Sequence, residues 1–171
     1  MLEVLKKGEV VEGYRIISEL GRGAASIIYL VIDEKTKQVW ALKDVQKIND
    51  KSERFMAQAE SEYKIAQKFS HEAIRNIPKL IKKKKGLRLN RLFLIMEHVD
   101  GKSMDDSNVK PTTFERACEV FKQAGAAMHH MHEQGYVHAD FKPHNVIVDG
   151  TNHVKIIDLG QSCQMTGHPA L

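Results

Sequence analysis

The chain has 171 residues, 42% hydrophobic and 28% charged, which suits one domain, or a small lobe joined to a partial second one, with a real core. The formal charge of +4 is mild and by itself implies no polyanionic partner; neither nucleic acid nor a membrane is expected to bind. No run approaches the roughly 20 apolar residues of a membrane span, and the opening Met-Leu-Glu-Val-Leu-Lys-Lys-Gly lacks an apolar signal core, so export is not expected. Cys118 and Cys163 are too few and too far apart for a disulfide scaffold, so they read as buried or incidental thiols in a reducing cytoplasm.

The first segments read as an antiparallel meander. Tyr14 to Leu20 is a strand, Gly21-Arg22-Gly23-Ala24-Ala25-Ser26 a turn, and Ile27 to Ile32 a β-branched second strand. A polar turn, Asp33 to Lys37, leads to a third strand, Val39 to Val45. Asp50 and Glu53 have capping-box spacing at a helix start. Phe55, Ala59, Glu62, Ala66 and Phe69 then recur at steps of four and three, on one helix face. Glu62 is the acid on that apolar face, and a buried carboxylate needs a cation or strong donors; Glu60 points the other way.

Ile77 to Lys83 and Leu92 to Glu97 read as two more strands around a basic turn of Lys84, Lys85, Arg88 and Arg91, a solvated hairpin tip or, as the alternative, a contact for an acidic partner or nucleic acid. Val99-Asp100-Gly101-Lys102 reads as a linker. Thr112 or Thr113 can cap a long helix running to about Gln134, closed by Gly135, with Phe114, Ala117, Phe121, Ala124, Met128 and Met131 as apolar residues. A final hairpin pairs Val146–Asp149 with Val154–Ile157 around Gly150-Thr151-Asn152.

Three constellations carry chemistry. Gly21 and Gly23 allow backbone amides to approach a phosphate, with Ser26 small enough to permit it; a plain hairpin loop is the alternative. Lys43 shares a strand face with Ala41, where an ammonium can neutralise phosphate charge and pair with Glu62; a surface lysine is the alternative. His138-Ala139-Asp140-Phe141-Lys142-Pro143-His144-Asn145, followed by Asp158-Leu159-Gly160, sets a potential base, a cation and two hard oxygen ligands at fixed intervals. Asp140 is placed to accept a hydroxyl proton, and Asn145 and Asp158 suit Mg²⁺. Seven histidines fall between His129 and His168; His129, His130 and His132 read as packing and surface residues, with a transition-metal site as the alternative.

In order, these segments resemble the protein kinase family, from about Tyr14 to Gly160. The glycine turn is similar to its phosphate-covering loop, Trp40-Ala41-Leu42-Lys43 to V-A-I-K, and Leu94 to Val99 to the hinge. His138–Asn145 is similar to H-R-D-L-K-x-x-N and Asp158-Leu159-Gly160 to D-F-G. The resemblance implies an α+β, kinase-like two-lobed fold: an N-terminal antiparallel sheet lobe (residues 8–98, ATP-binding) and an incomplete helical C-terminal lobe (residues 99–171). It implies that Gly21, Arg22, Gly23 and Ser26 cover the phosphates and that Lys43, paired with Glu62, binds them. Met96, the Glu97 carbonyl and the Val99 backbone meet adenine, and Ile28, Ala41 and Ile147 sandwich it. Asp140 with Lys142 acts on the substrate hydroxyl, and Asn145 and Asp158 hold Mg²⁺.

Lys142 resembles the serine/threonine branch. The implied activity is ATP-dependent phosphoryl transfer to a protein hydroxyl. The alternatives are a truncated pseudokinase that binds nucleotide or a partner, and a small-molecule phosphotransferase. Ala139 replaces the family's arginine, and no A-P-E-like segment follows Gly160, so the long helix is expected to show an uncovered face that another chain or segment could cover.

Overall fold

The computed structural model describes residues 2–86, 88–106 and 113–165. The chain divides into two compact units, Met1–Lys64 with Asn76–His98, and Ile65–Arg75 with Val99–Leu171.

The first unit is built on β1 (Val10–Val11), β2 (Tyr14–Arg22), β3 (Ser26–Asp33), β4 (Val39–Gln46), β5 (Lys79–Lys85) and β6 (Arg88–Glu97), with the helix α1 (Glu53–Ala66). All pairings are antiparallel and the order is β1-β2-β3-β4-β6-β5. The sheet curls, because its two edges meet: Lys83 of β5 pairs with Glu12 beside β1, and the Lys79 ammonium lies 5.7 Å from the Tyr14 ring centroid. One face carries Ile27, Tyr29, Val31, Leu42, Phe93 and Ile95, all buried, and Leu5 from the N-terminal segment packs into the same cluster. Strand alternation puts Ile28, Ala41, Lys43, Leu94 and Met96 on the other face.

Several boundaries differ from expectation. β2 continues to Arg22, so Gly21 sits in a strand opposite Ile28, next to a register shift, and not in the turn. The helix cap is Asn49, one residue earlier than Asp50. Its Oδ1 accepts from the Ser52 amide at 3.1 Å, while Ser52 Oγ accepts from the Asn49 amide at 3.3 Å. Glu53 instead pairs with Lys47. β5 starts at Lys79, although Ile77 is buried beside it. Arg91 does not belong to the basic tip: it lies within β6, and its guanidinium clasps the fully buried carboxylate of Asp44.

The second unit contains β7 (Gly101–Ser103), α2 (Phe114–Glu133), β8 (Tyr136–Val137), β9 (Val146–Asp149), β10 (Val154–Ile156) and β11 (Cys163–Gln164). β10, β9 and β7 form one small antiparallel sheet, and β8 pairs with β11. Gly101 and Lys102 are therefore strand, not linker. Gly101 is required there, since a Cβ would lie 2.6 Å from the Val148 carbonyl oxygen. Thr113 caps α2, its hydroxyl accepting from the Arg116 amide, and Gly135 ends it at φ +78°. Thr112 lies outside the described residues, as do His168 and the rest of 166–171.

The buried stripe of α2 is Val120, Ala124, Ala127 and Met131, whereas Phe114 and Phe121 are 80% and 61% exposed. α1 ends at Ala66, so Phe69 lies beyond it. Phe69 packs edge-on against Tyr136, ring centroids 5.6 Å apart. Cys118 and Cys163 are both exposed, which excludes buried thiols.

Candidate active site

In the first unit Lys43 and Glu62 meet. Lys43 leaves β4 on the face shared with Ala41, and α1 offers Glu62 from the stripe that also buries Met56 and Ala59. The ammonium donates to Glu62 Oε2 at 2.6 Å, with the side chains 19% and 2% exposed. Glu60, on another face of α1, pairs with Lys82 at 2.8 Å. A single lysine end thus stays partly open while its partner is nearly sealed, which fixes a charge and leaves it reachable.

Around this pair, Ile28 stands opposite Lys43 in the β3–β4 ladder and Ala41 stands opposite Met96 in the β4–β6 ladder. Ala41 and Met96 are buried, and Ile28 is half-buried. The β2–β3 turn is closed by the Gly23 amide donating to the Ser26 carbonyl at 2.8 Å. Gly23 is constrained by Ser26 itself: a Cβ would lie 2.9 Å from Ser26 Oγ. At Gly21 a Cβ would meet nothing, so the two glycines are not equivalent. Arg22 is held by Glu19 at 2.6 Å. At the end of β6 the Glu97 amide donates to the Asn76 carbonyl at 2.8 Å, and Glu97 Oε2 accepts from the Asn76 amide at 3.2 Å.

In the second unit Asp140, Lys142 and Asn145 form one cluster. The Lys142 ammonium donates to both Asp140 oxygens, at 3.0 and 2.8 Å. Asn145 Nδ2 donates to the Asp140 carbonyl at 2.9 Å and to Asp140 Oδ2 at 3.1 Å. These donors, Lys142 first and then Asn145, hold the Asp140 carboxyl below the usual carboxylate range despite some desolvation. The same bond raises Lys142. A carboxylate of lowered pKa is a weak base and a good hydrogen-bond acceptor, so it suits orienting a hydroxyl better than stripping it early. Ala139 sits at φ +58°, an uncommon setting for a residue with a Cβ.

Asp158 follows β10 in the left-handed region, φ 59° and ψ 65°, and makes no side-chain cap bond. Its Oδ1 is buried without a hydrogen-bond partner, and Asn145 is 2% exposed with its amide nitrogen already committed to Asp140. A buried, unsatisfied carboxylate oxygen needs a cation or donor, and a carboxylate with an amide oxygen is a hard donor set. Asn145 and Asp158 would suit Mg²⁺, which when bound would offset phosphate charge. Val99 and Ile147 are half-buried, Ile147 in β9.

The resemblance implies packed positions for His132 and His138; His132 is exposed, whereas the expectation holds for His138. It is 2% exposed and lies between the two segments: Nδ1 accepts from the Asp140 amide at 3.3 Å, and Nε2 is 3.1 Å from the Ile157 carbonyl. Its place two residues before Asp140 was visible; its second partner, on β10's exit, was not. Of the helix histidines, His129 pairs with Glu133, His130 packs beside Phe69 and His71, and His132 is exposed. Among the described residues no group of three or more His, Cys, Asp or Glu is arranged around a metal position.

The sequence matches the family profile described as "Protein kinase domain" over residues 14–171. This chain belongs to the protein kinase family. It is 27% identical over 177 residues to a protein named "Calcium/calmodulin-dependent protein kinase kinase" from Caenorhabditis elegans, covering 90% of this chain and 32% of that protein. It is 32% identical over 154 residues to "Sperm motility kinase 2B" from Mus musculus, covering 89% and 30%. It is 30% identical over 156 residues to "Serine/threonine-protein kinase chk-1" from Caenorhabditis elegans, covering 87% and 30%. The chain thus spans about a third of the length of these kinases. The kinase family accounts for the two-unit build, with a curled antiparallel sheet in one unit and the Asp140 segment in the other. No described helix is long and apolar enough to cross a membrane.

Proposed function

We propose that this kinase transfers the γ-phosphate of ATP to serine or threonine hydroxyls of a protein, in the cytoplasm. The observation that carries the reading is the Asp140–Lys142–Asn145 cluster beside the unsatisfied Asp158 carboxylate. In this reading Asp140 orients the attacking hydroxyl, and Lys142 offsets charge on the phosphoryl group in flight. Asn145 and Asp158 hold Mg²⁺, which when bound neutralises phosphate charge. Lys43, steadied by Glu62, binds the α- and β-phosphates under the Gly21–Ser26 turn. Residues 8–98 form the nucleotide-binding lobe, with Ile28, Ala41, Met96 and Glu97 as its adenine contacts, and Val99 and Ile147 are the adenine contacts assigned to the second unit. Residues 99–171 carry the catalytic and metal-binding loops.

Serine or threonine specificity is supported by Lys142, two residues after Asp140, and by the name of one relative. A second reading, a module that binds nucleotide without transferring phosphate, draws on exposed Phe114 and Phe121, since an apolar helix face left open suits a partner. Incubation with labelled ATP, Mg²⁺ and a generic protein substrate separates the two. Label on phosphoserine or phosphothreonine that disappears in Asp140→Ala supports transfer. A thermal shift with Mg·ATP and no label supports the binding module. No shift and no label sinks both.

A further inference from the structure

The β9–β10 hairpin carries Asn145 at one side of its open end and Asp158 at the other, and its closed end is gripped by a side chain from α2. Gln123, half-buried in mid-helix, donates from Nε2 to the Asn152 carbonyl at 2.9 Å and accepts at Oε1 from the Val154 amide at 3.0 Å. The turn satisfies its other groups internally, since Asp149 Oδ1 accepts from the Thr151 and His153 amides. Asn152 sits at φ +69°, which leaves its carbonyl to Gln123. One amide side chain therefore engages residues 152 and 154 as a neighbouring strand would, with one donor and one acceptor.

The consequence is register. β9 and β10 pair over only three rungs, Val154 with Val148, Lys155 with Ile147 and Ile156 with Val146. β7 flanks β9, and Ala73 and Arg75 bond to Ile156 of β10, but the hairpin's own pairing is short, and a slip of one residue would turn its side chains to the opposite face. At the open end the Ile157 amide donates to the Asn145 carbonyl at 2.9 Å, so the spacing of Asn145 and Asp158 follows the hairpin's alignment.

The geometry points to Gln123 as a positioning residue for Asn145 and Asp158, fixing the register of the hairpin that carries them against α2. This rests on the metal-binding reading of that pair given above.

The test is Mn²⁺ binding in the presence of ATP, read by electron paramagnetic resonance on the full chain, with Asp158→Asn as the no-site control. Gln123→Leu keeps the helix and the side-chain bulk but loses both bonds; Gln123→Glu keeps an acceptor for Val154. Gln123→Leu should weaken the Asp158-dependent Mn²⁺ binding about fivefold, the worth of one net hydrogen bond. Gln123→Glu should fall between it and the parent, and amide exchange at Val154 and Ile157 should quicken in the same order. Should Gln123→Leu fail to fold, the Gln123→Glu comparison decides. Mn²⁺ affinity equal to the parent's, with only the melting temperature lowered, would reduce Gln123 to a structural role and overturn the proposal. Absence of Asp158-dependent binding in the parent overturns the metal reading and this proposal together.

Discussion

His138 donates from Nε2 to the carbonyl oxygen of Ile157, 3.1 Å away. A carbonyl can only accept, so the proton sits on Nε2, and Nδ1 is left to accept from the Asp140 amide at 3.3 Å. One ring thus ties the segment of the candidate base to the residue before Asp158. His138→Phe keeps a buried ring but strands the carbonyl. We expect a loss of about 1–3 kcal/mol in urea unfolding, together with a slower transfer step. Unchanged stability would show that the ring, and not its nitrogens, is what matters.

In the proposed reading, where Asp140 orients the substrate hydroxyl, its ionisation bears on the acid side of the rate profile. Lys142, then Asn145, lowers its pKa below the ordinary carboxylate value. A depressed carboxyl contributes stability that is present above its unfolded value, near pKa ~3.9, and lost as pH falls through its folded value. Between about pH 5 and 8 Asp140 therefore stays ionised, and transfer should show no acid limb from it there. Lys142→Met removes the largest cause of the shift. Its profile should gain an acid limb at higher pH than the parent's, besides a lower plateau. A pH–rate series on both proteins checks this; coincident acid limbs would remove Lys142 from the account.

The strands and the catalytic spacing were legible because both are local signals. The apolar, β-branched run Ile27 to Ile32 marks a strand between turn signals, and the Asp140–Asn145 interval is read along the chain. Side-chain pairs between distant residues leave no such mark. Arg91 and Asp44 are 47 residues apart and Gln46 and Glu3 are 43 apart, so Arg91 looked like part of a basic tip. Phe114 and Phe121 share helical spacing with buried residues, yet a periodic pattern cannot say which apolar face of α2 is covered. Asn49 and Asp50 are both capping types, and only the extended backbone at Asn49 chooses between them.

The Asp44 network makes its own prediction. Asp44 is fully buried and accepts from Arg91 Nε at 2.8 Å, Arg91 Nη2 at 2.7 Å and Gln46 Nε2 at 2.7 Å. Arg91 also reaches Glu3, and Gln46 holds the Glu3 backbone at 2.9 and 2.8 Å, so one residue outside the family match completes the network. Arg91→Met leaves a buried charge without its cation and should cost about 3–5 kcal/mol. Asp44→Leu combined with Arg91→Met should recover most of that loss, since the paired charges contribute little net stability. Denaturant unfolding of the two single variants and the double gives the coupling; additive losses would mean the pair does not act as a unit.

His71 is the group expected to make stability fall on mild acidification. It lies just before the buried Ala73 and Ile74, the latter bridged to Ile156, and its Nδ1 accepts from the Ala73 amide at 3.1 Å. The His130 ring from α2 lies 5.2 Å away. Burial first, then the neighbouring His130, lowers the His71 pKa, with Lys155 adding to the shift and Glu72 opposing it. Protonation also destroys the acceptor that Ala73 uses. A histidine with a depressed folded pKa supplies stability that is intact above its unfolded value, about 6.5, and is lost as pH drops through the folded value. Unfolding free energy should therefore decline as pH falls from about 6.5 to 5. His71→Asn offers Ala73 a similar acceptor that does not titrate, so its stability should be flatter across the same window. Urea unfolding of both proteins at several pH values measures the difference, and an equal slope in the variant would assign the acid sensitivity to another group.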